Sequence, residues 1–395
     1  MEIKERIQQL AHQYAPQSIE IRRHLHQYPE LSFQEFETSS YIKKQLSFLG
    51  ITDAVTVAET GLLASIKGIK PGASLVLRAD IDALPITEIN DAGYASKNPG
   101  IMHACGHDAH TASLLLCARI LNEIKSELKG TVNLLFQPGE EVTPGGASLV
   151  MKEKVYQDLG VQPHIGQHVR PDIPIGKVGF RLGKCMASTD ELFLTVRGRG
   201  GHAAMPEKAI DAVLIASHII IAAQQLISRM ASPLVPSVLS FGKVVADGAI
   251  NVLPDTVYVE GTFRTLDELW RKEALLKLEK LVTSIAEGMG GTCELKIHYG
   301  YPHLINDVEL TNNLKALSGE YLGVENVLDL DPWMAAEDFS YYSQKNPASF
   351  YMLGTGNIQK GITSGLHTPT FDIDEEALEI GGGLMAWLAF STLGY

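Results

Sequence analysis

The sequence predicts an α/β protein with a mixed central sheet flanked by helices and an inserted, ferredoxin-like α+β domain. Short apolar runs that look like buried strands alternate with helical segments, as in open α/β sheets. Between residues 187 and 299 the segments follow the order β-α-β-β-α-β, which is that of a ferredoxin-like domain. We therefore predict a main domain in two parts, 1–186 and 300–395, with an inserted domain at 187–299.

The N-terminal residues predict helices. A helix pair is expected at 3–15 and 18–27, before Pro29 interrupts the pattern because proline cannot continue a helix. Residues 36–49 predict an amphipathic helix that ends at Gly50, a favourable C-terminal capping residue.

Three apolar runs, at 74–79, 131–137 and 161–168, predict strands of the main sheet. The first is followed by Asp80 and Asp82. Open α/β sheets place their sites at the carboxyl ends of such strands. On their own, however, these two aspartates are equally well explained as turn or capping residues.

The remaining elements follow from apolar periodicity. In the main domain they are a helix at 109–128, a helix at 311–318, a strand at 350–353 and a closing helix at 375–393. In the inserted domain they are strands at 192–197, 235–245, 252–264 and 292–299 and helices at 207–230 and 266–287.

Composition excludes some classes of function. Of the 395 residues, 45% are hydrophobic, which is enough for a sizeable core, and the net charge of -13 argues against a nucleic acid or an acidic membrane as partner. We expect that no apolar run reaches the roughly 18 residues of a membrane span, so no membrane partner is expected. The four cysteines lie far apart, which favours a reducing cytoplasm over a disulfide framework.

The stretch 102–110, M-H-A-C-G-H-D-A-H, is dense in metal-ligand residue types. Thiolate, imidazole and carboxylate are the groups that borderline divalent metals select. Gly106 permits a tight bend, so that Cys105 and His107 can point at one centre. A single buried cysteine would normally be structural, but this density favours metal binding if distant ligands complete the shell.

Distant candidates follow other strands. The sequence P-G-E-E at 138–141 comes directly after an apolar strand, and Glu140 and Glu141 must point in different directions. One of them can therefore bind a metal while the other faces a water molecule, although an exposed acidic loop is the usual alternative. His168, at a strand end, would be interpreted as a structural residue if considered alone. His367 would likewise be interpreted as a loop residue.

Together these residues predict a two-metal hydrolase. The candidate ligands are Cys105, His107, Glu141, His168 and His367. Five ligands are too many for one four-coordinate ion with an open position, but they suit two ions that share a bridging ligand. Glu140 would then act as general base, and amide hydrolysis becomes possible. No serine-hydrolase, P-loop or dinucleotide motif competes with this interpretation.

Eight motifs, spread over nearly the whole chain, carry a family resemblance. They are R-H-L-H-Q-Y-P-E-L-S-F (23–33), R-A-D-I-D-A-L-P-I (78–86), M-H-A-C-G-H-D (102–108), F-Q-P-G-E-E (136–141), G-R-G-G-H-A-A-M-P (198–206), N-V-L-P-D (251–255), E-D-F-S (337–340) and L-H-T-P (366–369). The chain resembles the aminoacylase, hippurate hydrolase and carboxypeptidase G family of dinuclear metallopeptidases. It is most similar to the N-acyl-amino-acid amidohydrolase branch, with auxin-conjugate hydrolases and N-acetyl-amino-acid deacetylases.

The resemblance implies a role for each candidate ligand. Cys105 would bridge two divalent metal ions. His107 and His168 would bind one ion, and Glu141 and His367 would bind the other. The metal itself is left open among zinc, cobalt, nickel and manganese, because thiolate and imidazole suit the first three and carboxylates admit the last.

The resemblance also assigns catalytic and orienting roles. Glu140 would be the general base and acid. Sister branches have a histidine ligand at the position of Asp80 and a bridging aspartate where this chain has Cys105, so Asp80 is not expected to be a ligand. Asp82 would orient a ligand imidazole without touching the metal.

For the inserted domain, the resemblance implies dimerisation and closure over the substrate. His202 would steady the oxyanion, in some family members from the partner subunit. Asn251 would help to bind the substrate, and Arg264 would bind its carboxylate. A salt bridge on a strand is an equally good explanation for Arg264.

The predicted function is metal-dependent hydrolysis of the amide bond of N-acyl-L-amino acids, with acetyl, benzoyl or related acyl groups, to a carboxylate and a free amino acid. The expected partners are this small-molecule substrate and a second copy of the chain. The alternative is a metallo-dipeptidase or carboxypeptidase on the same scaffold. An inactive ligand-binding dimer is disfavoured, because a binding protein has no need of Glu140.

Overall fold

A computed structural model describes residues 2–394, and the chain divides into two compact units. The first unit consists of the residues up to Gly183, Ile305–Asp331 and the residues from Asp338 onward. The second unit consists of Lys184–Leu304 and Pro332–Glu337.

The division differs from the predicted boundaries by a few residues at each end, since the second unit runs from Lys184 to Leu304 and not from 187 to 299, and by one separate segment. Pro332–Glu337 belongs to the second unit, although it lies within the second part of the predicted main domain. Backbone contacts explain this, because the N–H of Ala187 donates to the carbonyl oxygens of Trp333 (3.1 Å) and Ala335 (3.0 Å). The segment is therefore hydrogen-bonded to the first residues of the second unit.

The strands are numbered in chain order among the described residues. The first eight are β1 (Val55–Val57), β2 (Gly61–Lys67), β3 (Lys70–Asp80), β4 (Lys129–Gln137), β5 (His164–Pro174), β6 (Val178–Phe180), β7 (Gly183–Met186) and β8 (Asp190–Arg197). The others are β9 (Gly201–His202), β10 (Ser237–Ala246), β11 (Val252–Leu253), β12 (Thr256–Thr265), β13 (Thr292–Tyr299), β14 (Leu304–Asn306), β15 (Val327–Asp329) and β16 (Ala348–Gly356).

The α-helices are numbered in the same way. They are α1 (Ile3–Gln27), α2 (Phe36–Phe48), α3 (His107–Glu123), α4 (Gly146–Val150), α5 (Lys154–Gln157), α6 (Ala212–Ala223), α7 (Glu268–Gly288), α8 (Val308–Leu322), α9 (Ser340–Ser343) and α10 (Ala377–Thr392). Single 3-10 turns lie at Pro206–Lys208, Val324–Asn326 and Ile358–Lys360, and a π-helical turn lies at Leu226–Met230.

The first unit contains an eight-stranded mixed sheet with the order β1-β2-β4-β3-β5-β16-β6-β15. Its centre is parallel, because β3 runs parallel to β4 and β5, and β5 runs parallel to β16. Helices α3 and α10 are buried over most of their length, as expected for helices that cover such a sheet. The predicted fold class is confirmed for this unit.

The second unit contains a four-stranded antiparallel sheet with the order β10-β12-β8-β13. In chain order this is 2-3-1-4, the ferredoxin-like arrangement that the segment order predicts. Helices α6 and α7 bury apolar side chains against this sheet, and these side chains form the core of the unit. Strand β10 lies at one edge of the sheet.

Three predicted helices are wrong in their extent. The expected N-terminal pair is a single helix, α1, that continues through Pro16. Conversely, the single helix expected at 207–230 is divided into a 3-10 turn, α6 and a π-helical turn. The side chain of Asp211 explains where α6 begins, since it accepts the N–H groups of Val213 and Leu214.

One helical stretch, Ala212–Met230, is long and apolar enough to cross a membrane if only length and composition are considered. The expectation that no apolar run reaches this length is wrong for this stretch. Its inward side chains, which include Ile215, Ile219 and Leu226, are buried in the core of the second unit. Packing within the unit therefore accounts for part of its apolar character.

Candidate metal centre

The parallel strands bring the candidate residues to one edge of the main sheet. Strands β3, β4 and β5 end on the same side, and Asp80 pairs with Gln137 across β3 and β4. In β5, Gly166 pairs with Arg78, and His168 follows two residues later. The loops that carry Asp82 and the P-G-E-E sequence therefore leave the sheet next to the end of β5.

The bend at Gly106 sets the direction of the Cys-Gly-His sequence. Gly106 has a φ of 85° and immediately precedes α3. A Cβ at this position would lie 2.4 Å from Cγ2 of Val169. Only glycine combines this left-handed backbone with such a close approach. The bend allows Cys105 and His107 to reach one group with His168.

The five predicted ligands form two groups that share one residue. One group consists of Cys105, His107 and His168, and the other of Cys105, Glu141 and His367. In each group the possible ligand atoms all lie within 4.8 Å of one another. The Sγ of Cys105 lies 3.5 Å from Nε2 of His168. The Nε2 of His367 lies 3.3 Å from Oε1 of Glu141.

The chemistry of this set fits divalent metal ions. The Nε2 of His107 is buried and makes no hydrogen bond. A buried polar atom without a hydrogen bond costs about 1–3 kcal/mol, and a metal ion removes that cost. One thiol, three imidazoles and one carboxylate are also the donors that zinc, cobalt and nickel select.

Hydrogen bonds orient the ligand rings. The Nδ1 of His107 lies 2.9 Å from the carbonyl oxygen of Asp82 and 3.2 Å from its Oδ1, so it donates there and leaves Nε2 for a metal. The Oδ2 of Asp82 accepts the hydroxyl of Ser32 and the N–H of Glu141. Asp82 thus holds one predicted ligand by its ring and another by its backbone, as residues outside a metal shell commonly do.

The centre is rich in negative charge. Burial lowers the pKa of His107, but the carboxylates of Asp80, Asp82 and Glu141 raise it by more, to about 10. Burial raises the pKa of the Cys105 thiol, and the neighbouring carboxylates raise it further. Without a cation, the imidazole is therefore protonated and the thiol is neutral. A divalent ion reverses both states, because it favours the thiolate and the neutral ring.

Both carboxylate oxygens of Asp80 already have hydrogen-bond partners, which would compete with a role as ligand. Its Oδ2 accepts a hydrogen bond from the guanidinium of Arg78 at 2.7 Å, and its Oδ1 accepts one from Nδ1 of His110 at 2.6 Å. Asp80, His107 and His110 form a further compact group of possible ligand atoms. The guanidinium inside this group disfavours a cation there.

The P-G-E-E loop is fixed by Phe33 of the distant Y-P-E-L-S-F motif and by Glu35, which follows it. Gly139 has a φ of 59°, and a Cβ on it would lie 2.3 Å from the Phe33 ring. Its N–H donates to the buried carboxylate of Glu35 at 2.8 Å. Glu140 is only 6% exposed and forms a compact group with His107 and Glu141. Sequence reasoning treated this motif only as the end of a helix and a family mark, so the contact was missed.

His367 has a backbone conformation unusual for a residue with a side chain. Its φ is 59°, in the left-handed region. Its N–H donates to the carbonyl oxygen of Ala104, beside Cys105. Such strain costs on the order of 1–3 kcal/mol and occurs often at functional sites. The His367 side chain is half exposed.

Three residues of the dense 103–110 stretch lie outside the two ligand groups. Asp108 accepts hydrogen bonds from Arg22 (2.8 Å) and pairs with Nδ1 of His26 (2.8 Å). His103 is buried, neither ring nitrogen makes a hydrogen bond, and burial lowers its pKa to about 4. His110 contacts Asp80. Spacing alone could not separate these structural residues from the candidate ligands.

The other predicted site residues, His202, Asn251 and Arg264, belong to the second unit. His202 and Asn251 are exposed, and the Nδ1 of His202 accepts the N–H of Ala204. Arg264 is half-buried and donates to the carbonyl oxygen of Met334 at 3.3 Å, and burial lowers its pKa. The alternative interpretation of Arg264 as half of a salt bridge finds no carboxylate partner among the ion pairs of the described residues.

Known proteins are similar over most of the chain. A family model described as peptidase family M20/M25/M40 matches residues 76–390. An N-acetyl-L-cysteine deacetylase from Bacillus subtilis (strain 168) is 41% identical over 362 residues, which cover 92% of this chain and 85% of that protein. An N-acyl-L-amino acid amidohydrolase from Geobacillus stearothermophilus is 41% identical over 303 residues, with coverage of 77% and 81%. The crystal structure of a dinuclear metal-binding peptidase of the M20 family from Bacillus subtilis has a TM-score of 0.82 and 36% identity, and the match covers 96% of this chain and 98% of that one.

Proposed function

The chain belongs to peptidase family M20/M25/M40, and from this premise we infer that it hydrolyses the amide bond of N-acyl-L-amino acids. The products are a carboxylate and a free amino acid. The names of the similar deacetylase and amidohydrolase support this class of substrate. The observation that carries the proposal is the convergence of five ligand-type side chains, with Glu140 beside them.

We propose that the centre holds two divalent metal ions. Cys105 would bridge them, since its thiol is common to both ligand groups. His107 and His168 would complete one shell, and Glu141 and His367 would complete the other. The solved relative that is named a dinuclear metal-binding peptidase supports this number. Zinc, cobalt, nickel and manganese are the candidate metals.

Glu140 provides the proton transfer that amide hydrolysis requires. When bound, two divalent ions polarise the amide carbonyl and lower the pKa of the attacking water. Glu140 takes a proton from that water and delivers it to the leaving nitrogen. Asp82 keeps His107 in the tautomer that presents Nε2 to the centre. His202, Asn251 and Arg264 stay predicted substrate-binding residues on the strength of the family resemblance.

A substrate panel tests the proposed activity. Metal-stripped protein is supplied in turn with zinc, manganese, cobalt or nickel and assayed on N-acetyl, N-benzoyl and N-indoleacetyl amino acids and on dipeptides. We expect kcat/KM to be higher for an N-acyl amino acid than for any dipeptide. Faster cleavage of dipeptides or of peptide C-termini would favour the alternative peptidase function.

We further propose that the second unit forms a homodimer. Helix α6 buries one face in the core of the unit but exposes apolar side chains on the other, with Leu214 49% and Ile221 73% exposed. Edge strand β10 of the same unit has one side without a neighbouring strand in its four-stranded sheet. An exposed apolar helix face and an open sheet edge are typical of an interface between subunits.

Ile221→Glu is expected to convert the dimer into a monomer, because a carboxylate would be buried without a partner at the centre of this interface. Sedimentation velocity measures the change in mass. Leu276→Glu, at a 69% exposed apolar position on α7, is the matched control and should leave a dimer. If the Ile221 variant is still dimeric, the interface lies elsewhere.

A cytoplasmic location, and the absence of nucleic-acid and membrane partners, stay predictions from composition and cysteine usage.

A further inference from the structure

A buried chain of polar contacts leads from the E-D-F-S motif to the metal centre. It begins at Asp338, which is fully buried in the first unit. Its carboxylate accepts hydrogen bonds from Nη2 of Arg78 (2.8 Å), from the Gln137 side chain (2.8 Å) and from the N–H of Ala147 (2.9 Å). Asp338 therefore fixes the guanidinium of Arg78, and it does so from a segment that contains none of the candidate ligands.

The middle of the chain is an ion pair with a histidine attached. Arg78 donates through Nη1 to Oδ2 of Asp80 at 2.7 Å. The other oxygen of Asp80 lies 2.6 Å from Nδ1 of His110. Both oxygens of the Asp80 carboxylate are thus engaged, and its Oδ2 also lies 3.6 Å from Nε2 of His107.

The last links reach a predicted ligand. Nε2 of His110 accepts the backbone N–H of Val169 at 2.8 Å, so the ring is neutral and carries its proton on Nδ1. The carbonyl oxygen of Val169 in turn accepts a hydrogen bond from Nδ1 of His168 at 2.7 Å. The ring of His110 also packs edge-on against the ring of His168, with their centroids 4.6 Å apart.

We propose that Arg78, Asp80 and His110 are positioning residues that fix the ring of His168 through the backbone of Val169. This inference rests on the proposed two-metal function and deepens it. It also gives Asp80 a role other than that of ligand. Holding both ends of the Val169 residue keeps Nε2 of His168 directed at the Cys105 thiol, 3.5 Å away. Contacts of this kind, one step outside the metal shell, typically contribute 10–100-fold to metal affinity.

Two substitutions of one residue separate the two contacts of His110. In His110→Gln the amide lies about where Nε2 lies and can still accept the N–H of Val169. In His110→Asn the amide lies about where Nδ1 lies, so the contact with Asp80 is kept and the acceptor for Val169 is lost. The exposed His12→Asn is the control.

The readout is the affinity of the metal-stripped protein for Co²⁺, measured in competition with a chelator. Binding is monitored by the thiolate-to-cobalt absorption band that grows as Co²⁺ is added. We expect His110→Asn to weaken Co²⁺ binding by about 10–100-fold. His110→Gln should lose less affinity, because it gives up the contact with Asp80 but keeps the acceptor for Val169, and His12→Asn should stay close to wild type. Wild-type affinity in His110→Asn overturns the proposal, and so does an equal loss in both His110 variants.

Asp80→Asn provides a second, independent test if His110→Asn does not fold. We expect two Co²⁺ ions per chain with reduced affinity, because the amide keeps the shape of Asp80 but loses the charge that pairs with Arg78. A fall to one ion per chain would make Asp80 a ligand and overturn the proposal. Failure of the wild-type protein to bind two ions would instead contradict the proposed function.

Discussion

Glu140→Gln is expected to lower kcat by about 10²–10⁴-fold, the usual contribution of a general base. Glutamine keeps the size and one hydrogen-bond acceptor of glutamate but cannot take a proton from water. Because Glu140 lies outside the two ligand groups that share Cys105, the variant should keep its metal content. Steady-state kinetics on the best N-acyl amino acid of the panel measures the change.

The matched control is Glu5→Gln, on the exposed face of α1, which should retain wild-type kinetics. Metal content by elemental analysis and the circular-dichroism spectrum establish that the Glu140 variant is folded and loaded. Turnover near that of wild type in a loaded, folded Glu140→Gln protein would remove this residue from the mechanism.

Cys105→Ala is expected to deplete both ions rather than one, because the thiol of Cys105 belongs to both ligand groups. Substitutions outside a metal shell alone cost about 10–100-fold in affinity, so the loss of a bridging ligand should exceed about 100-fold. Activity should fall with metal content. Elemental analysis after dialysis against metal-free buffer gives the number of ions per chain.

Two other variants sharpen this test. Cys117→Ala removes a second buried thiol from α3, away from the ligand groups, and should keep both ions. Cys105→Asp restores the bridging residue type of the sister branches and should recover ions, with a preference shifted towards manganese. Full metal content in Cys105→Ala would exclude the thiol as a bridge.

Much of the fold follows from periodicity, and the exceptions have physical causes. The order of segments in the second unit is enough to predict its ferredoxin-like sheet, because few arrangements of β-α-β-β-α-β bury all the apolar faces. Two helices are predicted at 3–15 and 18–27, on either side of Pro16. Helix α1 continues through this proline because packing of its inner face, including Ile7 and Ala11 in the core, outweighs one lost hydrogen bond. Tertiary packing of this kind is not visible in a local pattern.

The site was predictable where chemistry restricts residue type. The Cys-Gly-His sequence and the Glu-Glu pair after a strand indicate candidate ligands and a candidate base from residue type and position alone. The residues that hold these side chains in place could not be predicted in this way, because Ser32 and Phe33 contact Asp82 and Gly139 from distant positions in the chain. Arg78 and Asp338 are 260 residues apart, and no spacing rule connects them.

The position of β16 has a consequence for co-translational folding. Strand β16 lies between β5 and β6 in the main sheet, yet it is translated only after the whole ferredoxin-like unit. Until it emerges, the nascent polypeptide presents β5 as an open edge, and open edges recruit other strands. The second unit can fold during this delay, before β16 is translated. We therefore expect the nascent protein to depend on chaperones chiefly in this interval, while the edge of β5 is still unpaired.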